Sequence, residues 1–485
     1  MVNNKTTSPE KSMAMMNRNL AYMMSRVEGV STNYFRLEPQ TGTTASANQH
    51  ISFALPSNAL LNTRSFQLMF NATTSGAASG ARLPPVERLI DRYTISSGGV
   101  QISQGYSLSN VLRAAKDVMT TSKVDSVLGH PEYVRTKSYV DGAAALAGTA
   151  NEVYSADNNA TQFGVCYFDG FLGTVQPSVI DSALCGDLRL SIMLAGAEVL
   201  SSVAGVALDG TTAAGPPVVA VAGITNDGAG GQSFTLRNIR LNVEVIGLAS
   251  GVYDELVARR IAETGYISLP FKSYHSFVDS HTGCTRFSVS SQSLDRIWIA
   301  YRTAADAVGG GGLVSVAGYK KAGAFTSVTT GVGTSLDIGA PDYDLGGVLS
   351  TNREKYVGKF FNFSLDEVGT AAATFQIVLN GSLFPQFQAN ADEMYAITKK
   401  SVEGYAVEDK MTRDQYRKNF FVQCIRLNLP DSEGQRMISG IDSRNINLSG
   451  EIRTTNITPG TNIVCYAECT SILRIGANRS IDLVH

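Results

Sequence analysis

The sequence is short of charge. Only 17% of its 485 residues are Asp, Glu, Lys or Arg, against about a quarter in ordinary soluble domains. Forty basic and 42 acidic side chains leave a net charge of −2, too even a balance for a stripe that neutralises phosphates, so sequence-specific nucleic-acid binding is not expected. The pairs Lys320-Lys321 and Lys399-Lys400 read as solvated faces. The six cysteines include no CxxC pair, which points to buried free thiols and a reducing compartment. Cys465 and Cys469 share one face of an alternating run but lie too far apart along a strand to bridge. No apolar run reaches about 18 residues, and residues 1–30 hold no signal-peptide core. The chain therefore reads as intracellular and soluble when made.

Catalytic motifs are missing too. There is no GxSxG elbow, no GxxxxGK[ST] phosphate loop and no HExxH pair. Five histidines are scattered at 50, 130, 275, 281 and 485, and only Asp279 lies near His275 and His281 as a further ligand type. The Asp342–Asp344 pair sits in a Gly-rich stretch and reads as solvated turn residues. Glycoside hydrolysis needs a cleft of carboxylates and aromatics. The single Trp298 falls at a core position of a strand, and Asp295 beside it reads as a turn cap. GVGTSLDIG lacks the strand-turn-helix setting of a dinucleotide fingerprint. No catalytic residue, cofactor or metal is expected.

What the chain has in quantity is small residues, including 46 glycines, and 44% hydrophobics. This is the composition of many short strands joined by turns. Little surface charge also suits a surface buried against other subunits, the other reading being a monomer with a Ser/Thr-rich exterior. A length of 485 residues exceeds one ordinary core and implies two to three domains.

Residues 1–31 differ from the rest. Six of the twelve methionines lie in the first 24 positions, and Met13, Met16, Leu20, Met23 and Val27 recur at helical spacing. Two readings fit. The segment is an arm that docks on a neighbouring subunit or an inner membrane, since Met-rich faces adapt to varied surfaces, or it is a helix capping its own domain.

From Thr32 onward strands dominate. Alternation runs through Ile51, Phe53 and Leu55, then through Phe66, Leu68 and Phe70. A helix is predicted over 107–128, with Ser107 or Ser109 as its cap. GVCYFDGFL (164–172) and DLRLSIMLA (187–195) read as strands. Residues 201–232 read as a long small-residue loop with one short hairpin. SFTLRNIRLNVEVIGL (233–248) is a strand with one slip in register. A helix over 253–265, ending on Gly265, then separates two strand-rich halves.

The second half restarts at YISLPFKSYHSF (266–277) and has its own Gly-rich loop at 307–347. An Asn380-Gly381 turn signal comes next, then a capping-box start from Asn390 and Glu393. FFVQCIRLNL and NIVCYAECTSILRIG close the chain as strands. FALPSNALL (53–61) is echoed by FSVSSQSLD (287–295) at an offset of 287 − 53 = 234 residues. Strand order, helix placement and half-size repeat with it, as an internal duplication requires. About eight short strands per half predict two β-sandwiches, most simply two tandem eight-stranded jelly rolls with short helices in their connections. The expected division is an arm over 1–31, a first jelly roll over 32–250, a linker helix over 251–265 and a second jelly roll over 266–485.

These stretches together resemble the double jelly-roll major capsid proteins of DNA viruses. The similarity is nearest to those of polinton-like viruses and virophages, with adenovirus hexon and the large algal-virus capsid proteins more distant. It rests on FALPSNALLNTRSFQLMF, GDLRLSIMLAGAEVL and FTLRNIRLNVEVIGLASGVYDEL in the first half. In the second half KFFNFSLDEVGTAAATFQIVLNGSLFPQF, MISGIDSRNINLSGEIR and CYAECTSILRIGANRSIDL carry it.

The resemblance implies a structural, non-enzymatic virion protein assembled in the host cell. It would trimerise into pseudo-hexagonal capsomers that tile an icosahedral shell around double-stranded DNA. Its partners would be two further copies, neighbouring capsomers, and penton and minor or cement proteins. The Gly-rich insertions would be exposed or intersubunit loops, and the N-terminal arm would lie at the inner face. Two other readings, a virion spike and a glycan-binding or deglycosylating double jelly roll, call for an anchoring shaft or a carboxylate-lined cleft that the sequence does not display.

Overall fold

The protein is described by a computed structural model that covers residues 30–57, 59–75, 81–82, 84, 86–103, 106–120, 162–165, 168–202, 204–209, 218–225, 233–248, 252–308, 313–315, 356–368, 372–403, 411, 413–429, 440–444, 448–476 and 480–484. The expected Met-rich helix, the Asp342–Asp344 pair, the GVGTSLDIG run, Lys320-Lys321 and most of the 307–347 loop lie outside these residues.

Alternating apolar residues make the strands, and their pairing defines two sandwiches. In the first half the main strands are β1 (Val30–Leu37), β2 (His50–Ala54), β3 (Leu60–Asn62), β4 (Gln67–Ser75), β5 (Ile90–Ser97), β6 (Val100–Ser103), β7 (Val179–Asp181), β8 (Leu188–Leu194) and β9 (Ser233–Leu248). One sheet pairs β9 with β1 on one edge and with β3 and β4, end to end, on the other, and β7 adds to β3. The second sheet runs β2-β8-β5-β6.

The second half repeats this plan with β10 (Tyr266–His281), β11 (Cys284–Val289), β12 (Leu294–Arg302), β13 (Thr374–Leu379), β14 (Ser382–Asn390), β15 (Val422–Arg426), β16 (Leu448–Thr455) and β17 (Thr461–Gly476). Its sheets run β10-β17-β12-β15 and β11-β16-β13-β14. With β3 and β4 counted as one interrupted lane, these main strands make each half an eight-stranded jelly roll. The short strands Ala45–Ser46 and Gln162–Val165 add to the first half and Ile481–Val484 to the second, and none of these strands pairs with a strand of the other half. Phe53 and Phe287, the two echoed residues, both lie buried on the edge strand of the smaller sheet. Leu60 and Leu294 both begin the lane that crosses to the larger sheet.

The connections between these strands carry helices α1 (Ser109–Thr120), α2 (Phe171–Thr174), α3 (Val252–Thr264), α4 (Ala391–Glu403) and α5 (Arg413–Asn419). The long helix α3 sits between the halves and ends on Gly265 at φ 80°, whose amide donates to the Ile261 carbonyl at 2.7 Å. The capping box of α4 is formed: the Asn390 side chain accepts from the Asp392 and Glu393 amides, and the Glu393 carboxylate accepts from the Asn390 amide at 2.8 Å. Asn380 and Gly381, at φ 48° and 82°, make the β13–β14 turn, both in the left-handed region a two-residue hairpin of this kind needs. The register slip of β9 falls between Arg237 and Arg240, where Asn238 takes φ 52°.

Three local expectations are corrected. The described part of the predicted 107–128 helix is Ser109–Thr120, and neither serine caps it. The Ser109 hydroxyl is drawn away to the Ile90 carbonyl, and the Ser107 amide donates to Ser276. GVCYFDGFL is not one strand. A strand covers Gln162–Val165, and Phe171–Thr174 turns into a helix, because Gly173 lies so close over the Phe168 carbonyl that no side chain would fit there. Helix α5 replaces what alternation alone left unassigned before β15. The 201–232 loop contains the one expected hairpin, Ala204–Asp209 paired with Val218–Thr225.

Candidate assembly interface

The residues singled out for chemistry do not assemble into a reactive site. His281 is buried in the β10–β11 turn, with Nδ1 2.7 Å from the Thr285 hydroxyl and Nε2 bonded to the Thr454 hydroxyl. Both ring nitrogens are thus engaged, and burial lowers its pKa more than Asp279 raises it. His275 lies six positions away on the same strand, roughly 20 Å at strand rise. Among the described residues no group of three metal-ligating side chains forms. Cys185, Cys424, Cys465 and Cys469 are buried free thiols, and burial pushes all four up, Cys424 and Cys469 to about 12. Cys284 is exposed and donates to the Glu451 carboxylate at 2.7 Å, beside an open groove of about 600 Å³ lined by Phe277, Val278, Asp279, Thr285 and Arg286.

Asp295 is no turn cap. It is buried, paired with Lys272 at 2.6 Å, and it also accepts from Ser293 at 2.7 Å and from Thr470. Trp298 is buried as expected, but not inside its own sandwich. It pairs in register with Tyr466, on the outer face of the sheet that meets the first half.

That meeting surface is the most organised polar region among the described residues. Helix α1 of the first half presents Lys116, whose ammonium lies 2.7 Å from the Tyr274 hydroxyl and 2.9 Å from Asp169. The same ammonium stands 4.4 Å above the Tyr274 ring and 6.0 Å from that of Trp298. Tyr466 donates to the Leu108 carbonyl at 2.6 Å. Glu468 accepts from the Trp298 indole at 3.0 Å and pairs with Arg296 at 3.7 Å. Burial pushes the Glu468 carboxyl up, but the Lys116, Arg296 and Lys272 charges and the Trp298 indole outweigh it and hold it at about 2. Burial also pushes the phenols of Tyr106, Tyr274 and Tyr466 well up, so they stay protonated and uncharged.

The edge of β10 is closed by the same half. The Gln176 amide donates to the Pro270 carbonyl at 3.0 Å, and the Lys272 amide donates to the Thr174 hydroxyl at 2.8 Å. Phe171 packs edge-on against Phe271, ring centroids 5.1 Å apart. The charges of this surface are matched and screened from water, so its chemistry is adhesion, fixing one jelly roll against the other. Sequence reasoning passed over Lys116, Tyr274 and Glu468. One signal was there: a lone carboxylate in the apolar run NIVCYAECTSILRIG demands a buried cation.

Elsewhere apolar side chains face water: Tyr34 and Phe35 on β1, and Leu383 and Phe387 on β14.

No protein-family model matches the chain, and no curated protein matches it. Solved structures do. PBCV-1 VP54, fitted into a cryo-EM reconstruction of the virophage Sputnik, is similar with a TM-score of 0.51 at 13% identity, over 95% of this chain and 98% of that one. The Faustovirus major capsid protein gives a TM-score of 0.48 at 12% identity, over 92% and 91% of the two chains. The Sputnik virophage structure at 3.5 Å gives 0.47 at 10% identity, over 94% and 88%. The chain has a double jelly-roll fold, shared with PBCV-1 VP54.

Proposed function

We propose that the protein is a major capsid protein, a structural subunit of a virion. The observation that carries this reading is the duplication itself. Two jelly rolls of the same topology stand in one chain, locked by a buried surface, and the fold is shared along nearly the whole length with PBCV-1 VP54.

A chain of two similar units can imitate a hexagon when three copies associate, and such a block tiles an icosahedral shell through repeated side contacts. In this reading residues 1–31 form an arm at the inner face, meeting a neighbouring subunit or an inner membrane. Residues 32–250 and 266–485 form the two jelly rolls and 251–265 the linker, with β1 reaching back to Val30. The Gly-rich insertions at 201–232 and 307–347 serve as exposed or intersubunit loops. Neighbouring capsomers, penton and cement proteins complete the shell around double-stranded DNA, which is packaged without sequence-specific contacts by this chain.

The test is mass and shape. Native mass measurement is expected to give three times 51.7 kDa, and electron microscopy a near-hexagonal particle. A strictly monomeric protein at micromolar concentration overturns the reading. Deleting residues 1–30 is expected to leave trimers intact and to impair shell formation.

A further inference from the structure

The duplication allows the two larger sheets to be set residue against residue. The closing strands β9 and β17 both contain sixteen residues, and each pairs its last residue with the first of its edge strand: Leu248 with Val30, Gly476 with Tyr266. Counting along the ladder, Phe35 opposite Val243 is the twin of Phe271 opposite Ser471. Arg36 is likewise the twin of Lys272, and Tyr34 of Pro270. The same chemistry thus recurs at the same register position, Phe followed by a cation.

Their surroundings differ completely. Phe271 is fully buried, because Phe171 of the other half closes the edge of the sandwich beside it. Phe35 points to the same inner face of its own sandwich, opposite buried Val243, yet is 41% exposed, and Tyr34 is 67% exposed. The outer face of β17 is buried at Glu468 and Thr470, whereas their twins on β9, Arg240 and Asn242, are only half-buried. The first half therefore carries the surface that the second half keeps covered, and nothing among the described residues of its own chain covers it.

We propose that the β1 edge around Tyr34 and Phe35 is the docking site for the second half of another copy. The contact would repeat, between chains, what α1 and α2 do to β10 within one. The docking elements are fixed by topology: α4 and α5 lie between β14 and β15, as α1 and α2 lie between β6 and β7. The contact is heterologous, first half to second half, so successive copies add in one rotational sense, and a turn of one third per step closes three of them into a ring. An aromatic at an otherwise open sandwich edge is the kind of residue that carries interface affinity. This inference rests on the capsid-subunit reading and names the surface through which that subunit associates.

The double variant Tyr34→Ser with Phe35→Asp tests it by native mass measurement, with circular dichroism to show that the chain is folded. The expected result is a wild-type trimer and a folded variant that runs as single chains, with association weakened by at least about tenfold. A folded variant that still forms trimers as tightly as wild type overturns the inference and leaves the capsid reading standing. A wild-type protein that is itself a monomer overturns both.

Hydroxyl-radical footprinting of the unaltered protein needs no variant to fold. Tyr34 and Phe35 are expected to resist oxidation in the trimer and to become reactive when dilution separates the chains. Equal reactivity in both states overturns the inference.

Discussion

The hydroxyl of Tyr466 donates to the carbonyl of Leu108 at 2.6 Å, joining the closing strand of the second jelly roll to the helix start of the first across 358 residues of sequence. Leu108 takes φ 57°, and its carbonyl also receives the Val111 amide at 3.0 Å, so the bond from Tyr466 pins an already tight turn. Tyr466→Phe keeps the ring and loses only this bond. Urea denaturation is expected to show a loss of about 1 kcal/mol. No measurable change would show that the Leu108 turn holds without it.

Lys116 carries more. Its ammonium serves Tyr274, Asp169 and, at longer range, Glu468. Replacement by Met preserves the stem but takes the paired cation from Asp169 and one of three nearby cations from buried Glu468. The expected destabilisation is about 3 kcal/mol in denaturant titrations. The circular dichroism spectrum should keep its strand signature, because the charge acts between the sandwiches and not within either.

These two residues show where the sequence was legible. Strand periodicity, the Asn380-Gly381 turn and the Asn390 cap are local signals, each fixed by residues within a few positions, and the structure contains them, the GVCYFDGFL stretch excepted. The repeat was legible because duplication preserves order even where identity has decayed, as Phe53 and Phe287 illustrate. What packs on the outer face of a sheet is a long-range matter. Trp298 alternates like a core residue whether it faces its own sandwich or another, and Lys116 looks like any helix lysine until Tyr274 is brought to it. Gly173 reads as a strand interruption only once the Phe168 carbonyl lies against it.

Acid should loosen the seam. Glu468 is held at about 2, below the ordinary 4.5. A carboxylate depressed in the folded state contributes stability that is complete above its unfolded value and is lost as pH falls through its folded one. Stability measured by thermal melting is therefore expected to drop between about pH 4.5 and pH 2. Glu468→Gln should flatten the profile in that window while lowering stability at neutral pH. An unchanged acid slope in the Gln variant would place the sensitivity elsewhere.

The cap of α4 offers a smaller effect in a known place. Asn390→Ala removes the acceptor of two helix amides and should cost about 1 kcal/mol. Asn390→Asp, which still accepts, should recover most of it. Equilibrium unfolding of the three proteins side by side decides this.

The twin phenylalanines separate folding from association most directly. Phe271 is buried under Phe171 within the chain, so Phe271→Ala leaves a cavity and is expected to cost about 3 to 5 kcal/mol of single-chain stability. Phe35→Ala at the matching register position removes a ring that is 41% exposed in the isolated chain, and should cost clearly less, about 1 to 2 kcal/mol of single-chain stability. Denaturation at concentrations where chains are separate measures both numbers. Raising the concentration should then widen the gap between wild type and Phe35→Ala but not that between wild type and Phe271→Ala, because only the former loses contacts made by a second copy. Equal costs for the two substitutions in separate chains would mean that β1 is already covered within its own chain.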